Sequence, residues 1–410
     1  MNKTEQMVVI GGGAAGFFGA VTAARAFPGS RVIILEKSNK LLSKVKISGG
    51  GRCNVTHACY ERSRLVKSYP RGEKSLPGPF TQFDATTTVQ WFEGRGVRLK
   101  TESDGRMFPA TDNSQTIVDC LLAEARAVGV EIRTGWGVKA IDKDPETNAF
   151  IITGTDGATL RADRVLVATG GNPNPAAYAW LERLGHRVMP PVPSLFTFNV
   201  PTSPLLDLAG VSVPEAVVKV SGTKLLQNGP LLVTHWGFSG PAVLKLSAWG
   251  ARDLAGLDYR FQMQVNWVPG KNEDAVRADL SAYRDAHPKQ TVAANPLYGL
   301  PQRLWKRLVE GAEIGEALRW ADLPKKNLNK LIDALVHSTY RVDGKSTYKD
   351  EFVTCGGIAA GEVDWQTMES RRCPGLFFAG EILDVDGITG GFNFQNAWTT
   401  GYIAGKNMGK

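Results

Sequence analysis

The stretch MVVIGGGAAG at residues 7–16 carries the strongest architectural signal in the chain. Its apolar start reads as a strand, its glycines as a turn, and an alanine-rich helical segment follows to about Phe27. Residues 31–36, RVIILE, then read as a buried strand that ends in an acid. A strand, a glycine turn, a helix and a second strand within about 30 residues form the βαβ unit of dinucleotide-binding domains.

The three glycines of the Gly-x-Gly-x-x-Gly motif have separate tasks. Gly11 allows a tight turn, Gly13 lets the backbone approach a pyrophosphate, and Gly16 permits close packing of the helix on the strand. The N-terminus of the helix favours the phosphate charge. Glu36 lies twenty residues beyond Gly16, where an acid hydrogen-bonds a ribose hydroxyl. Because such an acid disfavours a 2′-phosphate, FAD or NAD fits better than NADP.

Three further glycine-rich segments offer contacts to a long nucleotide. They are SGGGRCN at 48–54, ATGG at 168–171, and the stretch from Ala379 to Asn396. FAD needs contacts from such remote segments, and a second Gly-x-Gly-x-x-Gly after a strand is not visible in the sequence. The sequence therefore favours FAD as the bound nucleotide.

Composition and charge narrow the class of protein. The chain has 410 residues, 48 Lys+Arg and 40 Asp+Glu, for a net charge of +8. Its length allows two or three domains at about 150 residues each. Five cysteines are too few for a disulfide scaffold, and the cysteines and histidines show no metal-ligand spacing, so we predict no metal. No membrane span or signal peptide is recognisable, which predicts a cytoplasmic protein without a membrane partner.

The pattern of apolar residues predicts an α/β protein with three parts. The N-terminal pattern of an apolar strand followed by a glycine turn recurs near the C-terminus. Residues 1–190 and 345–410 are therefore predicted to form one discontinuous nucleotide-binding domain around a shared parallel sheet. Short alternating runs predict an inserted β-rich domain over 191–270. Helical spacing predicts a helical subdomain over 271–344.

Positive charge concentrates between residues 37 and 74. Glu61 and Glu73 are the two acids of that segment, against ten basic residues, which gives +8: Lys37, Lys40, Lys44, Lys46, Arg52, Arg62, Arg64, Lys67, Arg71 and Lys74. Such a segment suits a polyanion, either a phosphate-bearing cofactor or RNA. A solvated basic loop is the alternative interpretation.

Several longer motifs resemble those of the HI0933-like (YhiN/BaiN-type) flavoprotein family. They are KVKISGGGRCN at 44–54, THWGFSGP at 234–241, VTCGG at 353–357, FAGEILDVDG at 378–387 and GGFNFQ at 390–395. The resemblance implies a glutathione-reductase-type FAD-binding Rossmann domain with inserted β-barrel-like and small helical domains. It implies FAD contacts from the first glycine motif and the C-terminal segment. It also implies reduction of conjugated double bonds, because some members are linked to bile-acid intermediates or a uridine in ribosomal RNA.

Two positions depart from the family pattern. His57 follows Thr56 where the family commonly has Asn, and Cys355 stands where other residue types occur. Neither departure touches the FAD assignment, and both are compatible with a divergent substrate.

We predict specific contacts to FAD on this basis. Either Asp384 or Asp386 hydrogen-bonds the ribityl chain, and Gly390 and Gly391 present helix N–H groups to the pyrimidine O2. The full predicted set is Gly11, Gly13, Ala14, Ala15, Gly16, Glu36, Lys37, Lys44, Ser48, Gly49, Gly50, Arg52, Cys53, Asn54, Thr169, Gly170, Gly171, Gly380, Glu381, Asp384, Asp386, Gly390, Gly391, Phe392 and Asn393.

The candidate catalytic residues are Cys53, Arg52 and His235. A cation beside Cys53 would lower the pKa of its thiol and make it a candidate proton donor, whereas a small buried filler is the alternative. Arg52 reaches either the cofactor or a surface carboxylate. The spacing of Cys53 and Cys59, C-x5-C, does not match the C-x4-C of flavin disulfide reductases. His235 is the histidine that we would test as an acid or orienting group.

The leading hypothesis is an FAD-dependent oxidoreductase acting on a small molecule. Hydride transfer from reduced flavin N5 would reduce an activated C=C bond, with NADH or NADPH as the electron source. The alternatives are an RNA-modifying flavoenzyme, a flavin oxidase of small amines, and a non-catalytic flavin-bound sensor. The sequence does not identify the substrate or the oligomeric state.

Overall fold

The computed structural model describes residues 4–346 and 353–410 and divides the chain into two compact units. Unit 1 comprises residues 1–194 and 348–410, and unit 2 comprises residues 195–347. Residues 1–3 and 347–352 lie outside the described residues, and all of them belong to the predicted discontinuous domain.

The described residues form strands, helices and short 3-10 turns. The strands are β1 (Gln6–Ile10), β2 (Arg31–Leu35), β3 (Thr56–His57), β4 (Leu99–Thr101), β5 (Arg106–Pro109), β6 (Glu131–Arg133), β7 (Val138–Lys143), β8 (Phe150–Gly154), β9 (Thr159–Ala162), β10 (Arg164–Val167), β11 (Val188–Ser194), β12 (Thr197–Asn199), β13 (Ser212–Val220), β14 (Leu226–Thr234), β15 (Gly237–Ser239), β16 (Arg260–Asn266), β17 (Ser338–Asp343), β18 (Lys345–Ser346), β19 (Val353–Ile358) and β20 (Leu376–Phe378). The helices are α1 (Ala14–Ala26), α2 (Ser43–Gly51), α3 (Arg62–Leu65), α4 (Pro77–Gln82), α5 (Ala85–Glu93), α6 (Gln115–Ala127), α7 (Ala179–Arg183), α8 (Pro241–Trp249), α9 (Ala251–Gly256), α10 (Glu273–Ala286), α11 (Gln302–Gly311), α12 (Lys325–Val336) and α13 (Phe392–Asn407). The 3-10 turns are Val66–Ser68, Pro175–Tyr178, Leu206–Leu208, Trp320–Asp322, Ala360–Glu362 and Gly380–Ile382.

Unit 1 is built on a five-stranded parallel sheet in the order β20-β10-β1-β2-β6. The central strand β1 is a continuous apolar run, and Val9 pairs with Leu166 on one side and Ile34 on the other. Residues 7–9 are fully buried, as expected of a parallel strand covered on both faces. The predicted α/β class is confirmed, and so is the return of the C-terminal strand to the first sheet.

The C-terminal helix packs directly on the first helix. A Cβ atom at Gly405 would overlap the carbonyl oxygen of Gly19, and one at Gly401 would lie 2.7 Å from the carbonyl oxygen of Ala15. The absence of side chains at these positions lets the backbones of α1 and α13 approach closely. Residues almost 400 positions apart in sequence thereby form one layer over the sheet.

Smaller sheets complete unit 1. One contains β3, β5 and β4, a second contains β7, β8 and β9, and β11 pairs antiparallel with β19. Strands β8 and β9 form an antiparallel hairpin around Asp156 and Gly157.

Unit 2 contains a seven-stranded sheet in the order β17-β16-β13-β14-β15-β12-β18. Its strand pairs are antiparallel, as the alternating runs in 191–270 predict. Three fully buried tryptophans, Trp267, Trp305 and Trp320, lie in a core to which both strands and helices contribute.

Two features of unit 2 differ from the expected separation of a β-rich and a helical part. The helical segment ends with α12 at Val336, and residues 338–343 form β17, which pairs with β16. Tyr340 and Val342 alternate with exposed residues, so this segment has the two-residue period of a strand. Because α10, α11 and α12 pack on the same core as the sheet, segments 191–270 and 271–344 share one hydrophobic interior rather than two.

Candidate functional site

Four parallel strands of unit 1 bring the predicted glycine segments to one edge of the sheet. Gly11 follows β1, Glu36 follows β2, and Thr169–Gly171 comes shortly after β10. Gly380 comes shortly after β20. Strands β2 and β6 lie on one side of β1, and the later strands β10 and β20 lie on the other, so the strand order reverses at β1. Ligands of open parallel sheets bind at such a switch point, outside the carboxyl ends of the strands.

In the first glycine turn, a side chain would have room at Gly13 but not at Gly11 or Gly16. Gly11 has φ +112°, and a Cβ there would overlap the carbonyl oxygen of Ala168. A Cβ at Gly16 would overlap the carbonyl oxygen of Gly11, so α1 lies against the end of β1. A Cβ at Gly13 would meet nothing within 4 Å. The start of α1 at Gly13 therefore borders open space.

Glu36 fastens the glycine turn to the end of β2. Its Oε2 accepts a hydrogen bond from Gly12 N at 2.9 Å, and its Oε1 accepts one from Ser38 N at 2.8 Å. A carboxylate has about four lone-pair positions, so two hydrogen bonds leave capacity for a hydroxyl donor. Lys37 beside it is exposed.

The SGGGRCN segment has an unusual backbone. Gly49, Gly50 and Gly51 all have positive φ, which favours glycine, and Cys53 has φ +62°. A Cβ at Gly49 would lie 2.9 Å from Phe108 Cε1, whereas nothing lies within 4 Å of one at Gly50. Ser48 donates its hydroxyl to Val45 O at 3.1 Å.

Glu381 joins three of the predicted segments. Its Oε2 accepts a hydrogen bond from Lys44 Nζ at 2.6 Å, and its Oε1 accepts one from Thr354 N at 2.8 Å. A Cβ at Gly171 would lie 2.9 Å from Glu381 Oε1. Segments from α2, the turn after β10 and the turn after β20 therefore meet around one carboxylate.

The turn before α13 meets the segment that follows the SGGG glycines. Gly390 and Gly391 have φ +129° and +94°. The Asn54 amide accepts from Gly391 N at 3.0 Å and donates to Thr56 O at 3.0 Å. This corrects the expectation for Gly391, whose N–H is used by Asn54. The first-turn N–H groups of α13, beginning at Phe392, have no intrahelical partner and are the remaining donors at this end.

The Asp386 carboxylate is bound by other side chains of the protein. Its side chain is fully buried, Arg71 Nε donates to its Oδ1 at 2.5 Å, a second Arg71 nitrogen pairs with its Oδ2, and Ser194 Oγ donates to it at 2.7 Å. Burial raises the pKa of Asp386, and the Arg71 guanidinium opposes that rise. Of the two predicted ribityl partners, only the half-buried Asp384 stays a candidate.

Asn393 closes its own loop. Its Oδ1 accepts from Gly387 N at 2.8 Å and its Nδ2 donates to Gly387 O at 3.0 Å. The side chain shapes the turn that leads into α13, and its contact to FAD stays a prediction.

The structure contradicts the expected activation of Cys53. The thiol is fully buried, and burial raises its pKa to about 12, the opposite of the predicted direction. Arg52 does not lower it, because the guanidinium stacks 4.0 Å from the Phe108 ring centroid and its Nη1 donates to Glu102 Oε1 at 2.6 Å. Cys53 is a packed, neutral side chain. Of the two partners considered for Arg52, a cofactor or a carboxylate, the structure shows the carboxylate of Glu102.

His235 belongs to unit 2. It is exposed in the short turn between β14 and β15, beside the buried Thr234. Its role as an acid or orienting group stays a prediction.

Sequence reasoning missed two residues that hold the site together. Tyr69 donates its hydroxyl to Phe392 O at 2.7 Å, which fixes the start of α13. Arg71 was counted as a basic surface charge, although it is the partner of buried Asp386. Both residues lie in a largely polar segment, and such a segment does not indicate burial. The sequence therefore offered no signal for either role.

Two searches of the described residues gave negative results. Across residues 4–346 and 353–410, the histidines, cysteines and acids form no group of three or more suited to a metal ion. Within the same ranges, no helix combines the length and apolarity that a membrane span requires.

Comparisons with known proteins cover the whole chain. The family model described as the HI0933-like protein Rossmann domain matches residues 5–407. The chain is 32% identical over 412 residues to the ribosomal RNA dihydrouridine synthase of Escherichia coli (strain K12), covering 98% of this chain and 97% of that protein. It is 30% identical over 406 residues to the 3-dehydro-bile acid delta(4,6)-reductase of Clostridium scindens, covering 97% of each.

A solved structure shares the fold. The 3-ketosteroid-delta4-(5alpha)-dehydrogenase from Rhodococcus jostii RHA1 is 15% identical with a TM-score of 0.52, covering 100% of this chain and 98% of that chain. With the family model and two relatives matched over nearly their full length, this chain belongs to the HI0933-like family, as its motifs predict.

Proposed function

We propose that this protein is an FAD-dependent oxidoreductase that reduces an activated C=C bond. The observation that carries the proposal is the convergence of Gly11–Gly16, Glu36, Thr169–Gly171 and Glu381 at the carboxyl edge of one parallel sheet. Two relatives support the reaction type, because a dihydrouridine synthase and a delta(4,6)-reductase both add hydrogen across a C=C bond.

The residues present fit an FAD molecule. The open space at Gly13 accepts a group that a side chain would otherwise fill, and the uncapped N-terminus of α1 suits a pyrophosphate. Glu36 has the carboxylate that a ribose hydroxyl needs. Asp384 and Glu381 lie in the segment that precedes α13. The first N–H groups of α13 suit an electron-rich pyrimidine edge.

When bound, FAD supplies hydride transfer from its reduced N5 atom, with NADH or NADPH proposed as the source of electrons. The chain's own part is to bind and orient the nucleotide. Glu381 holds Lys44 and the backbone of Thr354 in place, and Tyr69 holds the start of α13. His235 is kept as the candidate proton donor or orienting group, in place of the buried Cys53. A cytoplasmic location is part of the proposal.

Purified protein should carry an oxidised flavin absorbance band that bleaches on anaerobic addition of NADH or NADPH. Reoxidation by a 3-keto-4-ene steroid or another enone would then identify the acceptor class. Bleaching by a small amine without a nicotinamide would instead mark an amine oxidase. A band that no donor or substrate bleaches would indicate a sensor, and a protein that takes up no FAD would refute the proposal.

A ribosomal RNA substrate is a second candidate. Five of the ten basic residues in 37–74 form ion pairs, namely Lys44, Arg52, Arg62, Arg64 and Arg71. The other five are exposed and have no ion-pair partner within 4.0 Å among the described residues: Lys37, Lys40, Lys46, Lys67 and Lys74. These five lysines are the charges in this segment that a phosphate backbone would meet.

Replacing those five lysines with Gln should weaken binding of a ribosomal RNA fragment and flatten its salt dependence. Each phosphate contact contributes about 0.7 to the slope of log K against log salt for single strands, so the slope should fall by up to about 3.5. Fluorescence anisotropy across a salt series measures both quantities.

A matched control changes the same charge elsewhere. Lys219, Lys224, Lys289, Lys325 and Lys326 are exposed lysines of unit 2, and their replacement with Gln should leave the slope unchanged. Equal losses in the two variants would assign the binding to net charge and remove segment 37–74 from the second candidate.

A further inference from the structure

His57 is half-buried and packs against the turn that precedes α13. Its ring stacks on Phe392 with centroids 4.8 Å apart and an interplanar angle of 18°. A Cβ at Gly390 would lie 3.4 Å from His57 Cδ2, so the turn backbone approaches the edge of the ring. On its other side, a Cβ at Gly105 would overlap Cε1 of the ring and lie 2.8 Å from Nε2, and Gly105 has φ +87°. The imidazole therefore fills a space between two glycine turns.

The hydrogen bond of the His57 ring shows which ring nitrogen carries the hydrogen. Nε2 lies 3.1 Å from Asp104 O, and a carbonyl oxygen only accepts, so Nε2 carries the hydrogen of the neutral ring. Nδ1 is then a bare acceptor, and it is buried with no hydrogen-bond partner among the described residues. A proton on Nδ1 would place an N–H in the same position, again without a partner, and add a charge. The buried, unpartnered position of Nδ1 thus favours an uncharged ring.

The charges around the ring do not reverse this preference. The Asp104 carboxylate and the Arg106 guanidinium approach it from the β5 side, and Arg106 Nε donates to Asp104 Oδ2 at 2.7 Å. Because these two groups are paired with each other, their opposite effects on the imidazole partly cancel. On the α13 side the neighbours are Gly390 and Phe392, which carry no charge. Burial is the largest influence and lowers the pKa of His57 below its usual 6.5.

We propose that His57 is a positioning residue for the nucleotide, acting through the Gly390–Phe392 turn that its ring supports. This inference rests on the proposed FAD-binding function. The turn is otherwise held by groups that do not titrate near neutral pH, namely the Asn54 amide on Gly391 N and the Tyr69 hydroxyl on Phe392 O. The stacked imidazole is the titrating support, so the turn keeps its shape while the ring is neutral.

The direction of the pH dependence follows from linkage. Above about pH 6.5 most His57 rings are neutral, so we expect FAD to bind with its full affinity well above that pH. Protonation of His57 opposes the bound state as the pH falls further, and one linked proton weakens binding by at most tenfold per pH unit. By reciprocity, bound FAD should lower the pKa of His57 further.

Equilibrium FAD binding between pH 8 and pH 5 tests the proposal on the full-length protein. We expect the wild-type dissociation constant to rise at least fivefold over this range. His57→Phe keeps a stacking ring without a titrating nitrogen, so its affinity at pH 8 should stay within about threefold of wild type and vary little with pH. His57→Ala should bind at least tenfold more weakly at pH 8. His337→Asn, which changes an exposed histidine of unit 2, should follow the wild-type curve.

NMR titration of the His57 Cε1 proton, with and without FAD, gives a readout that needs no variant. A pKa below 6.5 that falls again on FAD binding supports the proposal. A wild type that binds FAD equally at pH 8 and pH 5, or a His57→Ala variant with wild-type affinity, overturns it while leaving FAD binding intact. A wild type that binds no FAD at pH 8 overturns the proposed function and this inference together.

Discussion

Gly16→Ala should lower FAD affinity at least a hundredfold. A Cβ at this position would overlap the carbonyl oxygen of Gly11, so α1 would have to move away from the end of β1. That movement displaces the helix N-terminus, where the pyrophosphate is proposed to bind. A hundredfold loss corresponds to about 2.7 kcal/mol of binding free energy. Quenching of flavin fluorescence on titration into the FAD-free protein measures the change.

Gly29→Ala is the matched control, because it adds the same methyl group to a glycine of the same unit. A Cβ at Gly29 would meet nothing within 4 Å. Gly29 follows α1 at its opposite end from the proposed nucleotide site, so the variant should bind FAD within about twofold of wild type. If Gly16→Ala also binds within a few-fold of wild type, the nucleotide does not depend on the close contact of α1 with β1.

The core of unit 1 could be predicted because its signals are local. Strand β1, the glycine turn, α1 and β2 follow one another within residues 6–35. The geometry of that unit follows from the apolar runs and from three glycines whose spacing has a steric meaning. The pairing of β20 with the first sheet could also be predicted, because its apolar run and the glycine after it repeat the pattern of β1 and the first glycine turn.

Contacts between distant segments could not be predicted in this way. Arg71 and Asp386 are 315 positions apart, and nothing in their own segments distinguishes a buried pair from two exposed charges. Arg71 therefore raised the count of basic surface residues, and Asp386 was taken as a ligand-binding acid. The burial of both residues could not be read from the sequence, because burial depends on the partner that the fold brings to each residue and not on the residue type.

The error at Cys53 has a backbone cause. Sequence proximity to Arg52 suggested a cation beside the thiol, but adjacent residues do not share an environment when the chain turns sharply. Cys53 has φ +62°, and its side chain enters the core while Arg52 reaches Phe108 and Glu102. A left-handed conformation at a non-glycine residue is uncommon and is not readable from neighbouring residue types.

Arg71→Met should be the most destabilising single change of a charged residue in unit 1. It would leave the Asp386 carboxylate fully buried with Ser194 as its remaining side-chain donor. Removing one partner of a buried pair costs about 3–5 kcal/mol, because the other charge stays uncompensated. Hydrogen exchange of the peptides that contain β1 and β10 reports the stability of this unit. Arg64→Met, at a pair whose side chains are 77% and 58% exposed, should cost at most about 1 kcal/mol.

The pH dependence of the Arg71→Met loss separates an unpaired charge from lost packing. Burial raises the pKa of Asp386, and without Arg71 only the hydrogen bond from Ser194 opposes that rise. A carboxyl group with a raised folded-state pKa destabilises the folded protein above that pKa, and the penalty disappears as the pH falls toward the unfolded value of about 3.9. The loss should therefore be large at pH 7.5 and smaller at pH 5. Arg71→Met combined with Asp386→Leu should recover most of it at pH 7.5, because no charge stays buried. A loss that is equal at both pH values and persists in the double variant would show that Arg71 stabilises unit 1 by packing alone.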